Sequence, residues 1–202
     1  CKEALSAQKD VSVQALVYDA SKLTLSEAYH QGLKRAEGTY VSFWEPTVRP
    51  ARETALSEVL KLFTDSASAP AESKINIDAI AVGSVFSDPK DPVAYPTQLP
   101  EDGLYNVASE TTTVVPMYLP GWFFRKDALM SSGVRFDDQF GEEAGAAFIL
   151  SYLLKAPEFY YKKAILLKYK HPTENIYAHT MLSYKHQWYT PSIENLGMDT
   201  CA

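Results

Sequence analysis

The sequence is poor in cysteine, in glycine and in long apolar runs. Its two cysteines, Cys1 and Cys201, stand at opposite ends of 202 residues. They exclude a disulfide-rich scaffold and the usual zinc motifs and fit a reducing compartment, although a bridge between the ends stays open. Nine glycines and twelve prolines without a fixed period exclude a collagen-like chain. The apolar runs fall far below the roughly 20 residues of a membrane-spanning helix.

Positive charge is scarce as well. Nineteen lysines and arginines stand against 25 aspartates and glutamates, which gives a net charge of -6 and a pI near 5.2. Such a chain has no general field that attracts a polyphosphate backbone, so we expect no nucleic-acid partner. An anionic ligand would need a local site. The basic stretch of Lys162, Lys163, Lys168 and Lys170 can touch an anionic membrane, or its lysines can simply be solvated.

Apolar surface, in contrast, is plentiful. With 46% hydrophobic and 22% charged residues, the chain can form one substantial core but not two ordinary ones. We therefore predict a single domain over residues 1–202. Because the chain opens with Cys1 and shows no signal segment, we expect a domain excised from a longer cytoplasmic protein, with contact to the inner face of the membrane left open.

Hydrophobic periodicity predicts strands interleaved with helices. A proline-rich stretch at 87–103 interrupts the pattern and predicts a long irregular excursion. Interleaved elements favour an α/β layered sheet. The predicted strands are 11–17, 39–44, 77–86, 111–115 and 160–169, and the predicted helices are 25–36, 51–63, 126–131, 142–154 and 175–189.

Four segments, taken in serial order, carry a family resemblance. They are Val-Tyr-Asp-Ala-Ser at 17–21, the stretch 24–43, the stretch 119–138 and Gly-Glu-Glu at 141–143. Over residues 1–177 they resemble the family 2 glycosyltransferases with the GT-A fold. The stretch 168–189 is further similar to the sugar-transferase-like domains of bacterial teichoic-acid glycerophosphotransferases. The resemblance implies a GT-A-like layered fold with a mostly parallel central sheet flanked by helices, without the family's first strand.

The same resemblance implies a function in bacterial cell-envelope polysaccharide biosynthesis. The expected reaction moves a sugar from a nucleoside-diphosphate sugar to a glycan or polymer acceptor, with inversion. The alternative is a catalytically inactive binding or assembly module inside a larger cell-envelope polymer enzyme. This alternative stays open because the expected site residues of this chain depart from the family pattern.

On the nucleotide side, the resemblance implies roles for four residues. Asp19 would read the base, unless it is a turn residue that bonds its own backbone. His30 would lie near the diphosphate if protonated, or else be a packed, neutral helix residue. The family's acidic triplet for Mg²⁺ or Mn²⁺ is reduced here to Glu45-Pro46-Thr47-Val48. Glu45 and Thr47 are the implied metal ligands, and the alternative for Glu45 is a surface charge at a strand end.

On the acceptor side, the resemblance implies a general base and a sugar platform. Glu142 or Glu143 would deprotonate the acceptor hydroxyl, although acidic residues in a first helical turn also simply favour the helix dipole. Trp122 would stack on an acceptor sugar, or else belong to the core.

Overall fold

A seven-stranded sheet organises the computed structural model, which describes residues 2–19, 22–68, 76–87, 93–94, 99–109 and 115–170. These residues belong to one unit, Cys1–Lys170. The strands are β1 (Tyr40–Val41), β2 (Val48–Pro50), β3 (Ala79–Ser87), β4 (Val93–Ala94), β5 (Gly103–Asn106), β6 (Trp122–Arg125) and β7 (Glu158–Lys170). The α-helices are α1 (Lys2–Ser6), α2 (Leu25–Arg35), α3 (Ala55–Ser68), α4 (Lys126–Ser132) and α5 (Ala144–Leu153).

The strand order corrects the expected sheet. The strands run β1-β6-β3-β7-β2, with β4 on β3 and β5 on β7. Within the described ranges only β3 and β7 pair in parallel, and the other neighbours are antiparallel. The prediction of a mostly parallel sheet is therefore wrong. Strand direction is set by pairing partners, which hydrophobic periodicity does not reveal, and the antiparallel β6 was not predicted at all.

Helices cover both faces of the sheet, as the α/β prediction requires. Alternate residues of β3 point to opposite faces, so Ala79 and Ala81 join one core and Ile80 and Val82 the other. The first core includes residues of α4 and α5, and the second includes the buried face of α3. The layered α/β class is thus confirmed.

The predicted strand at 11–17 is wrong. Residues 11–19 carry no strand assignment, and Val13 and Val17 are exposed. A period-two pattern becomes a strand only where a neighbour supplies ladder hydrogen bonds, and no strand among the described residues pairs with this segment. Residues 111–114 and 175–189, also predicted as strand and helix, lie outside the described residues.

A close approach of β3 to β7 depends on Gly83. The pairing register shifts on either side of this residue, from Val82 opposite Lys162 to Gly83 opposite Ile165. A Cβ at position 83 would strike the carbonyl oxygen of Lys163 and lie 2.9 Å from that of Ala164. Glycine therefore permits the irregular pairing at the centre of the sheet.

Each helix in the described part of the chain is too short or too polar to span a bilayer. Two of the four lysines in the basic stretch have protein partners, because Lys162 pairs with Asp102 and Lys163 Nζ donates to the carbonyl of Pro100 across 2.8 Å. Membrane contact through this stretch stays a prediction.

Candidate functional site

The pairing of β1 with β6 brings Glu45 to Tyr118. In this antiparallel pair Tyr40 faces Arg125 and Val41 faces Phe124. The chain that leaves β1 and the chain that enters β6 consequently meet at one end of the sheet. There the Tyr118 hydroxyl donates to Glu45 Oε2 across 3.4 Å, and Tyr118 precedes a short 3-10 helix, Leu119–Gly121.

Glu45 is accessible to water and yet partly desolvated. The residue is exposed, but surrounding protein raises the pKa of its carboxyl through desolvation, and the Tyr118 hydrogen bond opposes that rise. Both properties together describe a carboxylate at a partly enclosed position on the protein surface. The Glu45 carbonyl accepts from Val48 N across 3.1 Å, so Pro46 and the half-buried Thr47 form the tip of a turn.

An aromatic cluster packs between α2 and α5. The Tyr29 ring of α2 packs against Phe43 and Phe136, with centroids 5.0 and 4.5 Å apart. Phe136 stacks on Phe148 of α5 with centroids 3.8 Å apart. Burial, and secondarily the charge of Glu45, raises the pKa of the Tyr29 hydroxyl, so Tyr29 and Glu45 are electrostatic neighbours.

The start of α5 adjoins the same region. Gly141 has φ 53° and ψ -124°, a conformation that favours glycine, and it turns the chain into α5. Glu143 is the N-cap of α5 and is half-buried. Gly145, in the first turn, lies so close to Leu119 that an added Cβ would be 3.1 Å from the Leu119 Cβ. The helix that begins after Glu143 therefore packs on the residue that follows Tyr118. Nothing is described of the Glu142 side chain.

His30 makes a structural contact that agrees with the alternative of a packed, neutral helix residue, and a contact with the diphosphate stays a prediction. Its Nε2 accepts a hydrogen bond from Phe136 N across 3.1 Å, which requires an unprotonated nitrogen. Burial, together with the charges of Arg135 and Lys34, lowers the pKa of the ring. The side chain thus ties α2 to the segment that leads into Asp138, whose carboxylate in turn accepts from Thr24 Oγ1 across 2.7 Å.

Trp122 belongs to the core, which is the alternative given for it. The residue is fully buried, and its indole N–H donates to the Pro116 carbonyl across 2.6 Å. Its ring stacks on Phe124 and packs against Phe159. With its faces covered by core residues, Trp122 cannot present a platform to an acceptor sugar.

Asp19 is an exposed residue with a local partner. Its carboxylate lies 3.6 Å from Lys22 Nζ, and its carbonyl accepts from Lys22 N across 3.0 Å. Asp19 thus begins a turn, as its alternative requires, and its carboxylate pairs with Lys22. Recognition of a nucleotide base by Asp19 stays a prediction.

The side-chain oxygens around Glu45 do not fit the ligand shell of Mg²⁺ or Mn²⁺. These hard cations prefer several carboxylate oxygens in a near-octahedral shell. Here Glu45 is approached by a tyrosine hydroxyl that donates a proton toward Oε2. The described residues contain no group of three histidine, cysteine, aspartate or glutamate side chains that could hold a metal ion. Metal binding at Glu45 and Thr47 stays a prediction, and the neighbouring side chains disfavour it.

Comparison with solved structures identifies the fold. No protein-family model and no curated protein sequence matches the chain. S. aureus TarS 1-349 in complex with UDP superposes with a TM-score of 0.57 at 13% identity, over 76% of this chain and 42% of that chain. Over the aligned residues, the chain shares its fold with the matching part of TarS 1-349.

Two further TarS structures match the chain equally well. TarS 1-349 in complex with UDP-GlcNAc gives a TM-score of 0.57 at 12% identity, over 74% of this chain and 40% of that chain. The longer S. aureus TarS chain gives 0.57 at 14% identity, over 78% of this chain and 26% of that chain. The chain thus spans less than half of the TarS chains that it matches. At this identity the likeness concerns the fold, and the ligands are those of TarS.

Sequence reasoning missed the residue that contacts Glu45. Tyr118 carries no motif, and its proximity follows from the antiparallel pairing of β1 with β6. The only signal in the sequence was a short aromatic run at 122–124 after Leu119-Pro120-Gly121, which predicts a strand as readily as a core turn.

Proposed function

We propose that the chain is a glycosyltransferase-like domain that takes a nucleoside-diphosphate sugar as donor. The observation that carries the proposal is the fold shared with TarS, which has been crystallised with UDP and with UDP-GlcNAc. The serial motifs of a family 2 glycosyltransferase support it independently. The acceptor we propose is a glycan or polymer of the bacterial cell envelope.

The reaction we propose is a single inverting displacement. An acceptor hydroxyl oxygen bonds to the anomeric carbon from the face opposite the diphosphate. The bond from that carbon to the diphosphate oxygen breaks, and its electron pair leaves with the nucleoside diphosphate. A carboxylate takes the acceptor proton as the new bond forms. The barrier is lowered by positioning of the two substrates and by groups that stabilise the departing charge.

Glu143 is the carboxylate that we assign to the acceptor proton. It stands at the start of α5, whose first turn packs on Leu119, the residue after Tyr118. Glu142 is the alternative from the sequence. We assign Asp19 to the base of the nucleotide and Glu45 to the region of the transferred sugar.

A binding or assembly module is the second candidate function. One observation favours it specifically: where the family is expected to carry an acidic triplet, this chain places Glu45 in a turn with Pro46 and Thr47, beside a tyrosine hydroxyl. Such a module would retain sugar binding and lose transfer.

Thermal unfolding with UDP, UDP-GlcNAc and ADP tests ligand binding first. A ligand at 100 times its dissociation constant stabilises the folded state by about 2.7 kcal/mol. For a chain of this length, that corresponds to a rise in Tm of about 5–11 °C. We expect this rise with UDP-GlcNAc. Absence of any shift with all three nucleotides would refute the proposal for this chain.

Release of UDP from UDP-GlcNAc separates the two candidates. If the chain is an enzyme, Glu143→Gln should lower the rate by about 10²–10⁴-fold, the usual contribution of a general base, and leave the Tm shift with UDP-GlcNAc in place. The matched control is Asp127→Asn, an exposed carboxylate in the first turn of α4. Binding without UDP release in the wild-type chain would favour the assembly module.

A further inference from the structure

The carboxylate of Glu45 has hydroxyl groups as neighbours. Tyr118 donates to its Oε2 across 3.4 Å. Tyr29 lies close enough for the Glu45 charge to disfavour ionisation of its hydroxyl. A carboxylate accepts hydrogen bonds, and a tyrosine hydroxyl both donates and accepts them. Glu45 and Tyr118 together can therefore bond to the hydroxyl groups of a sugar, which also donate and accept.

The contact between Glu45 and Tyr118 is easily exchanged. An O–H···O hydrogen bond usually measures about 2.7–2.8 Å, so a separation of 3.4 Å is long and the bond weak. A ligand hydroxyl that approaches Glu45 therefore replaces a poor hydrogen bond by a charge-assisted one. Glu45 is exposed, so a ligand can reach it without unfolding any element.

The same arrangement opposes a divalent cation. The described neighbour of the Glu45 carboxylate is a hydroxyl that donates to Oε2, not a second anionic ligand that a hard cation would share with Glu45. A neutral tyrosine adds no negative charge to offset the cost of removing water from Mg²⁺ or Mn²⁺. Thr47, half-buried at the tip of the turn, adds at most one neutral oxygen.

On the basis of the function proposed above, we propose that Glu45 and Tyr118 bind hydroxyl groups of the donor sugar directly. The chain would thus take a nucleotide sugar without a divalent cation. In this arrangement the Glu45 carboxylate accepts a hydrogen bond from one sugar hydroxyl, and the Tyr118 hydroxyl, released from Glu45, bonds to another.

Two measurements on the wild-type chain test the role of metal. Titration calorimetry with UDP-GlcNAc, in EDTA and in Mn²⁺, should give dissociation constants that agree within about twofold. The electron paramagnetic resonance signal of free Mn²⁺ should be unchanged when the protein is added. Neither measurement depends on a variant that folds.

Variants then test which part of the ligand is bound. Glu45→Gln and Tyr118→Phe should weaken binding of UDP-GlcNAc by roughly 10- to 100-fold and roughly 3- to 10-fold, the effects of a charged and a neutral hydrogen bond. Binding of UDP alone should change by less than about twofold. The matched controls are Glu37→Gln, an exposed glutamate, and Tyr105→Phe, which loses only a hydroxyl bond to the Glu101 carbonyl.

The outcomes distinguish this proposal from the function on which it rests. If UDP-GlcNAc binds only with Mn²⁺, or if the wild-type chain but not Glu45→Gln removes the free Mn²⁺ signal, direct sugar binding is overturned and the donor specificity stands. Equal losses for UDP and UDP-GlcNAc in the two variants would also overturn it, because Glu45 would then contact the nucleotide. Failure of both ligands to bind under every condition would refute the proposed function itself.

Discussion

Replacement of Gly83 by alanine should strongly destabilise the chain, because β3 approaches β7 most closely at this residue. The added Cβ would contact the Lys163 carbonyl oxygen and lie 2.9 Å from that of Ala164, where real Cβ atoms stay beyond 3.0 Å. Both obstacles are backbone atoms of a paired strand, so they cannot turn aside as a side chain would. Overpacking of this kind costs up to about 3 kcal/mol, and the lower unfolded-state entropy of alanine returns about 0.5 kcal/mol.

The expected net loss is about 2.5 kcal/mol in the free energy of unfolding, or about 5–10 °C in Tm. Urea unfolding followed by circular dichroism measures it. The matched control is Gly103→Ala on β5, which pairs with β7 from the other side and whose added Cβ would meet only Tyr105 Cε2 at 3.8 Å. We expect Gly103→Ala to be neutral or slightly stabilising. If the two variants differ by less than about 0.5 kcal/mol, the described approach of β3 to β7 is wrong.

Three other predictions concern residues around the candidate site. The hydrogen bond to His30 Nε2 stabilises the folded chain when the ring is neutral. Because the pKa of His30 is lower in the folded chain than the ordinary value of 6.5, this stabilisation is complete above pH 6.5. It is lost as the pH falls from 6.5 through the lower pKa of the folded state. Urea unfolding between about pH 7 and pH 5 should therefore show a loss of about 1 kcal/mol that His30→Gln abolishes; an unchanged slope in the variant would contradict this. Gly141→Ala should cost about 1–3 kcal/mol in the same assay, because φ of 53° with ψ of -124° strains any residue with a Cβ; an unchanged midpoint would refute that backbone conformation. Trp122→Phe should cost about 2–4 kcal/mol, since it leaves a cavity and removes the donor to the buried Pro116 carbonyl; a loss below about 1 kcal/mol would indicate that the indole is not enclosed.

Long apolar patterns predicted their elements well. The spacing of Leu25, Tyr29 and Leu33 predicted α2, and Thr24 with Glu27 forms the capping box that fixes its start. The helix predicted at 142–154 is α5, Ala144–Leu153. Such elements depend on interactions within a few residues, which the sequence contains directly.

The candidate site was predicted less well for the same physical reason. Glu45 was named from the sequence, and its partner Tyr118 was not, because 73 positions separate them. For His30 and Trp122 the sequence left a ligand contact and a packed structural role open, and in the structure their nitrogen atoms bond to Phe136 and Pro116. A residue type fixes which bonds a side chain can make, and packing decides which of them it makes.

The sequence by itself determined the α/β class, the main helices and the acidic residues available for chemistry, because composition, periodicity and capping act locally. Only the tertiary structure decided the direction of the strands, the burial of Trp122 and the approach of Tyr118 to Glu45. Those features depend on hydrogen-bond ladders and contacts between distant segments, whose energies appear only when the sheet has formed.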